Sequence, residues 1–452
     1  MSRLFGTDGI RGTAGKYPID VATISKLARS LLQLGKKRIL IARDTRASGL
    51  WIENILKEII SHGGGEATLA GVIPTPGVAF LTKSTPFDMG VVISASHNSY
   101  QDNGIKIFSN SGTKLTDDQE KEVEQLVAED TELHSVPVVR NEDSIRGILN
   151  FHPVLIDKYS DFLEAVCPSS TLQPLKIVLD CANGASFYIA PQVFKTLGAE
   201  VVSINTQPNG RNINRNCGSV FPQGMIRTVL SSQASFGVAF DGDSDRCIFC
   251  DERGELLDGD QILFILACYL HRKELLRTRT VVTTLVSNMG LEVALEKENL
   301  QLIRTRVGDR YVLREMLHGD HYLGGEQSGH IIVREYLLSG DGILTALLIG
   351  RILVEGACTL STLAKDLEKY PQVLLNVKVK EKRDYSKIDE IQKEIGKAQR
   401  FLGTRGRVLV RYSGTEPLVR IMLEGEEETE IRKHAHSIAA AFKEILGATT
   451  SI

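Results

Sequence analysis

An α/β protein built from successive strand–helix units, closed by a smaller α+β module, is the fold that the sequence predicts. Three observations carry this expectation. Short aliphatic runs such as RILIA (38–42), VVI (91–93) and KIVLD (176–180) alternate with segments of helical periodicity. Several of these runs stop abruptly at a polar cluster, as strands of parallel sheets do where ligands gather beyond their carboxyl ends. From residue 369 onward the alternation breaks, and two strands, 408–412 and 419–425, follow each other closely between two helices.

Composition narrows the class. A chain of 452 residues predicts several domains, and 42% hydrophobic with 24% charged residues is an ordinary globular mixture. Lys plus Arg number 53 against 56 Asp plus Glu, for a net charge of −3 with no basic block, which argues against a nucleic-acid or anionic-membrane partner. The longest apolar runs, such as ILFILACYL (262–270), fall short of the ~20 residues of a bilayer span. The opening MSRLFGTDG has no hydrophobic signal region, so a cytoplasmic location is expected. Seven scattered cysteines do not form a disulfide framework. Cys247 and Cys250 of CIFC sit on a predicted strand, where residues three apart face opposite ways, and no second pair completes a zinc site.

Taken in order, Val21, Ile24, Leu27, Ala28, Leu31 and Leu32 form one helical face ending at Gly35, followed by the strand 38–42. A helix over 49–61 ends in the glycines 63–65, ATLAGVIP (67–74) leads to the strand 91–93, and a helix over 117–129 closes the block. The polar run 130–150 marks a boundary. The second block carries strands at 176–180, 201–205 and 237–241 with a helix at 191–197; the third alternates again from 251, ending in an apolar helix over 342–355. The expected domains are 1–150, 151–250, 251–368 and 369–452. No fixed short repeat is visible.

Four strings carry chemistry. In GVVISASHNSYQDNGIK (90–106) a strand buried on both faces meets a compact polar turn holding Ser94, Ser96, His97 and Asn98, and Ser96 is the candidate nucleophile. Taken alone, such a turn also fits simple loop formation or helix capping. In DGDSDR (241–246), Asp241, Asp243 and Asp245 can turn toward one point, the oxygen-rich surrounding that Mg²⁺ prefers. A calcium loop would need Gly where Arg246 stands, although Glu252 falls at its twelfth position. A bare acidic turn is disfavoured, since carboxylates at 4 Å repel by about 4 kcal/mol per pair with partial screening. GGEQSGH (324–330) offers Glu326, Ser328 and His330 to sugar hydroxyls, beside glycines that admit close approach. RYSGTEPLVR (411–420) brackets hydroxyls and a glycine with two arginines, a phosphate cradle or else a hairpin with surface arginines.

Together with FGTDGIRG (5–12), these strings resemble the α-D-phosphohexomutase family, over essentially the whole chain and in the family's order. The resemblance implies three similar α/β domains with mixed or parallel sheets and a C-terminal phosphate-binding domain around a central cleft. NINRNCGS (212–219), VGDRYV (307–312) and GGEQSGH look most like the family's amino-sugar branch, an isomerase interconverting glucosamine 6-phosphate and glucosamine 1-phosphate on the route to UDP-N-acetylglucosamine. It implies phosphorylated Ser96 which, with Asp241, Asp243 and Asp245, holds one Mg²⁺; Arg11 and Arg246 near that phosphate; and His97 and Lys106 as proton-transfer candidates. It also implies Glu326 and Ser328 on sugar hydroxyls, Gly308 and Asp309 choosing the sugar face, and Arg411, Ser413, Gly414, Thr415 and Arg420 on the non-reacting phosphate. A sugar 1,6-bisphosphate is the implied intermediate and activator, a hexosamine phosphate the ligand, and a homodimer one open assembly. Ser99 and Ser244 depart from the family's usual proline and small residue, which leaves loop rigidity open. Competing readings are a phosphomannomutase or phosphoglucomutase of the same family, a phosphatase with a phosphoserine intermediate, and a non-catalytic sugar-phosphate sensor.

Overall fold

The computed structural model of the chain describes residues 4–131, 150–168, 170–413, 417–447 and 449–451. The chain folds as a large unit, 1–286 with 299–365, and a smaller one, 287–298 with 366–452.

The large unit holds three sheets. The first contains β1 (Ile10–Thr13), β2 (Arg38–Arg43), β3 (Glu66–Val72), β4 (Met89–Ile93) and β5 (Asp102–Ser109) in the order β1-β5-β4-β2-β3. The second contains β6 (Lys176–Asp180), β7 (Glu200–Ile204), β8 (Phe236–Phe240), β9 (Cys247–Asp251) and β10 (Leu256–Leu257) in the order β10-β9-β8-β6-β7. The third contains β11 (Thr280–Thr284), β12 (Gln301–Thr305), β13 (Leu323–Gly325) and β14 (Ile331–Val333) in the order β12-β11-β13-β14. One plan underlies all three. A central strand (β2, β6 or β11) pairs in parallel with the next strand in sequence and with the one after it. That third strand then turns directly into an antiparallel partner. The expected mixed α/β architecture is therefore present.

Local chemistry explains the helices. Asp20 caps Val21–Gln33, Thr116 and Gln119 form a capping box on Asp117–Glu129, and Asp258 with Gln261 does the same for Gly259–Arg272. The first core packs Ile24, Leu27 and Leu31 with Ile52, Ile55 and Leu56 and with Ile39, Ile41, Val91 and Ile93. Two differences from the sequence reading stand out. The polar turn expected to run to Lys106 ends at Gln101, because Asp102–Ser109 is a strand whose Asn103 and Lys106 are buried. Strand β4 itself is paired on both sides, parallel to β2 and antiparallel to β5. A helix at Thr75–Ser84, absent from the sequence reading, starts just after Pro74 with Pro76 in its first turn.

In the smaller unit β15 (Gln372–Lys378), β16 (Gly406–Tyr412), β17 (Leu418–Gly425) and β18 (Thr449–Ser451) form an antiparallel sheet ordered β16-β17-β15-β18. Asp389–Leu402 and Glu428–Leu446 pack Ile391, Ile395, Ile431, Ile438 and Phe442 against Val377, Val419 and Ile421. This is the α+β module expected from the sequence.

Asp341 caps the apolar helix Gly342–Gly356 by accepting from the Ile343 and Leu344 amides, both at 3.0 Å, and also accepts from the Tyr159 hydroxyl at 2.7 Å. Burial pushes its carboxyl up to about 6 in spite of those donors. A folded-state value above the unfolded one means that this group's contribution is complete below about pH 4 and is lost as pH rises through 6. Asp341→Asn keeps the cap without ionising. Urea unfolding from pH 4 to 8 is expected to move the stability difference in the variant's favour by up to roughly 3 kcal/mol; a difference independent of pH would contradict the assignment.

Candidate active site

The shared sheet plan puts three turns in equivalent places, each joining the third strand to its antiparallel partner. They are 94–101 between β4 and β5, 241–246 between β8 and β9, and 326–330 between β13 and β14. These are three of the four strings singled out in the sequence. Each holds a residue in the left-handed region: Ser96 at φ 53°, Ser244 at φ 60° and Gly329 at φ 90°. At the last, a side chain is also excluded by space, since a Cβ would lie 2.0 Å from the Cys247 carbonyl oxygen.

The first two turns meet directly. Ser96 Oγ donates to Asp241 Oδ2 at 2.5 Å, and the Thr75 hydroxyl donates to Asp243 Oδ2 at 2.7 Å. Carboxylate oxygens of Asp241, Asp243 and Asp245 lie within 4.8 Å of one another, all buried. Asp243 Oδ1 and Asp245 Oδ1 are buried with no hydrogen-bond partner among the described residues. Burial and the neighbouring charges of Asp245 and Asp243 push the Asp241 carboxyl well up. Crowded hard donors with free oxygens fit a divalent cation of the Mg²⁺ kind, and a buried cluster of this sort marks a metal-dependent centre.

Lys106 sits against the other side of this cluster. Its Nζ donates to Asp243 Oδ2 at 2.8 Å and to Asp245 Oδ2 at 3.0 Å, and lies 3.4 Å from Asp8. Burial opposes its charge, yet Asp243, Asp245 and Asp8 hold the ammonium well above its usual value. Asp8 pairs in turn with Lys114 and Arg11. Lys114 reaches Asp309 at 2.6 Å, Asp309 lies 3.7 Å from His330 Nε2, and His330 Nδ1 lies 3.8 Å from Asp245. The result is a chain of alternating charge, Asp245–Lys106–Asp8–Lys114–Asp309, whose two ends are bridged by the His330 ring, drawn from all three sheets and their loops. Burial would raise the Asp8 and Asp309 carboxyls, but the facing lysines hold both down.

His97 Nδ1 lies 3.3 Å from Ser96 Oγ and 3.4 Å from Arg246 Nη1. Burial, with the charges of Arg246 and Arg11, lowers its pKa and favours the neutral imidazole. Glu326 accepts from the Gly308 amide at 3.0 Å and from Ser328 Oγ at 3.3 Å, which ties the 308–309 loop to the third turn. His330 was expected to serve sugar hydroxyls through its ring. The ring is 2% exposed and already accepts from the Gly340 amide at 3.0 Å. A cavity of about 440 Å³ reaches Lys114, Asp309 and His330, within the roughly 300–1,000 Å³ common for small-molecule sites.

In the smaller unit Arg411 and Arg420 stand directly opposite each other on β16 and β17. Burial and the Arg420 charge lower Arg411, and Arg420 Nε is buried without a partner among the described residues. Two facing guanidinium groups repel unless an anion lies between them. Ser413 is buried beside them, its carbonyl accepting from Lys382 at 2.7 Å. Gly414 and Thr415 lie outside the described residues, as does most of the expected boundary at 130–150.

Sequence reasoning missed Asp8, Lys114, Arg46 and Asn214. Asp8 is inside the string FGTDGIRG, and Arg46 follows β2 in a charged cluster, RDTR (43–46), at the same kind of strand end as the turns. Asn214 lies inside NINRNCGS (212–219), and nothing local points to Lys114.

Four family profiles cover the chain in succession: "Phosphoglucomutase/phosphomannomutase, alpha/beta/alpha domain I" at 2–134, domain II at 157–254, domain III at 258–370 and the C-terminal domain at 374–441. A phosphoglucosamine mutase from Citrifermentans bemidjiense is 46% identical over 99% of both chains, and one from Clostridium botulinum is 46% identical over 97% of this chain and 98% of its own. A phosphoglucomutase/phosphomannomutase family protein of Burkholderia thailandensis superposes with a TM-score of 0.80 at 21% identity over the full length of both. An N-acetylphosphoglucosamine mutase from Aspergillus fumigatus, solved with GlcNAc-6P and magnesium, gives 0.67 at 19% identity over 98% of this chain and 95% of its own.

The charge chain is directly testable at Lys114. Lys114→Met leaves Asp8 and Asp309 facing each other without their shared cation, at a side chain only 13% exposed. The expected loss in urea unfolding lies toward the lower end of the roughly 3–5 kcal/mol seen when one partner of a buried ion pair is removed. Lys114→Arg is expected to retain most of it. Wild-type stability in the Met variant would show that the charge chain does not carry the load assigned to it.

Proposed function

The chain belongs to the phosphoglucomutase/phosphomannomutase family, and we propose that it acts within it as an isomerase on glucosamine phosphates, interconverting glucosamine 6-phosphate and glucosamine 1-phosphate on the route to UDP-N-acetylglucosamine. The observation that carries the reading is the Ser96 hydroxyl held on Asp241 at 2.5 Å, beside two buried carboxylate oxygens without hydrogen-bond partners among the described residues. Near-full-length identity of 44–46% to phosphoglucosamine mutases supports the choice of sugar.

In the working enzyme Ser96 carries a phosphoryl group. The Ser96 Oγ–phosphorus bond breaks as a hydroxyl oxygen of the sugar monophosphate bonds to phosphorus and that hydroxyl's proton passes, by way of His97, to Ser96 Oγ, giving a sugar 1,6-bisphosphate and a free serine. The bisphosphate reverses, its other phosphoryl returns to Ser96 Oγ, and the isomerised monophosphate leaves. Asp241, Asp243 and Asp245, with the serine phosphate, would hold one Mg²⁺, which when bound neutralises charge on the transferring phosphoryl group. His97, neutral and 3.3 Å from Ser96 Oγ, is placed to take and return the proton that the serine loses and regains. Lys106, expected from the sequence as a proton-transfer candidate, is held charged by Asp243, Asp245 and Asp8 and offsets them instead, while Arg11 and Arg246 add positive charge for the phosphate. Glu326 and Ser328 grip sugar hydroxyls, and Gly308 and Asp309 select the sugar face. His330 acts through Asp245 and Asp309 instead of through a free ring nitrogen. Arg411, Ser413, Gly414, Thr415 and Arg420 hold the phosphate that is not reacting. The same proposal includes a cytoplasmic setting, a domain division near 150, 250 and 368, and no nucleic acid or membrane as partner. No helix among the described residues is long and apolar enough to cross a membrane.

The test combines intact-protein mass spectrometry with a substrate panel. Ser96 is expected to be partly phosphorylated, and Ser96→Ala to lose both the phosphate and nearly all turnover. Glucosamine 6-phosphate is expected to give a higher kcat/KM than glucose or mannose 6-phosphate. Preference for glucose or mannose would move the protein to the phosphoglucomutase or phosphomannomutase reading, and release of free phosphate would make it a phosphatase. In the second unit Arg420→Ala removes a charged hydrogen bond worth about 1.5–3 kcal/mol, so KM is expected to rise roughly tenfold to hundredfold. An unchanged KM would place the phosphate clamp elsewhere.

A further inference from the structure

The turn that carries Ser96 is gripped from beneath by one buried arginine. Arg46 is fully buried. Its Nη2 donates to the carbonyls of Ser96 and Asn98, both at 2.9 Å, and its Nη1 to the carbonyl of Asp102 at 3.0 Å and also to that of Ser99. Its Nε donates to Asp44 Oδ2 at 2.8 Å. One guanidinium therefore gathers four carbonyls spaced over seven residues of a single turn.

The same turn is held at its other backbone group. Asp44 Oδ2 accepts from the Ser94 hydroxyl at 2.6 Å, and the Ser94 oxygen accepts from the Ser96 amide at 2.9 Å. From the second sheet's loops, Asn214 Nδ2 donates to the Ser96 carbonyl at 2.8 Å and to that of Asn98 at 3.0 Å. Both the amide and the carbonyl of Ser96 are thus fixed from Arg46, directly or through Asp44 and Ser94. A left-handed serine at φ 53° is sparsely populated and persists only where its surroundings over-determine it. Gly242 allows this approach, because a Cβ there would lie 2.5 Å from the Ser96 carbonyl oxygen.

We propose that Arg46 is a positioning residue for phosphoryl transfer: its four-carbonyl grip holds Ser96 left-handed with Oγ on Asp241, and so sets the rate of transfer without touching the substrate. A planar fork with five donors can do this, whereas a lysine in its place cannot span four carbonyls. The cost of burying a guanidinium against one carboxylate argues that the fork is kept for geometry and not for net stability. The inference rests on Ser96 as the residue that carries the phosphoryl group.

The test uses the full-length protein and its Arg46→Met, Arg46→Lys and Asn214→Ala variants, with glucose 1,6-bisphosphate as the phosphoryl donor. Rapid quenching and intact-mass measurement give the rate of Ser96 phosphorylation, steady-state assays give kcat and KM, and thermal melting reports folding. The expected result is a fall of at least a hundredfold in both phosphorylation rate and kcat for Arg46→Met, with KM within threefold of wild type. Arg46→Lys falls between, and Asn214→Ala slows about tenfold. Should Arg46→Met fail to fold, Arg46→Lys and Asn214→Ala decide by the same criteria. A folded variant that phosphorylates Ser96 at the wild-type rate overturns the proposal, and so does a loss shared by kcat and KM that follows the melting temperature. A wild-type protein that never takes phosphate on Ser96 would instead remove the underlying functional reading, and the two failures are told apart by that control.

Discussion

Three carboxylates within five residues of one turn cannot coexist in a protein interior without opposite charge around them, and much of the large unit is arranged to supply it. Asp241, Asp243 and Asp245 are all 2% exposed or less. Lys106 answers two of them, but a buried lysine needs its own partners, and Asp8 supplies the next charge. The sequence of compensation then runs through Lys114 to Asp309, and the His330 ring lies between Asp309 and Asp245. Each step buries a charge that only the following one makes tolerable. Because the members come from β5, the N-terminal loop and the loops of the second and third sheets, the charge chain fixes those segments relative to one another within the unit. The function follows from the part left unanswered: the free oxygens of Asp243 and Asp245 point to a cation that the protein side chains do not provide.

The three-sheet plan explains why chemistry falls where it does. In each sheet the third parallel strand turns straight into an antiparallel one, so the connecting turn cannot be a long crossover helix and stays short. A short turn at a strand's carboxyl end exposes several polar groups in a fixed geometry. Repeating that arrangement three times yields one turn for the serine, one for the aspartates and one for Glu326 and Ser328. The left-handed residue in each of them sharpens the bend and aims the neighbouring side chains.

What could be read from the sequence was what is local. The aspartate loop, the serine turn and GGEQSGH each fit within a few residues, and their residue types announce the chemistry. The helices whose apolar faces keep period, such as Val21–Gln33 and Asp117–Glu129, were legible for the same reason. The strand Asp102–Ser109 was not, because Asn103 and Lys106 interrupt its apolar pattern for the sake of the site. Lys114 was illegible because its partner Asp8 is 106 positions away. Arg46 was not singled out because its partners are remote, and only the folded turn 50 residues later shows its grip. The sameness of the three sheets lies in strand order and pairing, which leaves no short repeat in the amino acids.

The two units carry opposite excesses, and this constrains what either can bind. In the large unit the three aspartates outnumber Lys106 and Arg246, so a metal ion completes the set and a bare phosphate would be repelled until it arrives. In the smaller unit Arg411 and Arg420 face each other across the ladder with no intervening carboxylate among the described residues. That unit needs an anion to relieve the repulsion, and a phosphate offers a guanidinium pair more acceptors than a carboxylate does.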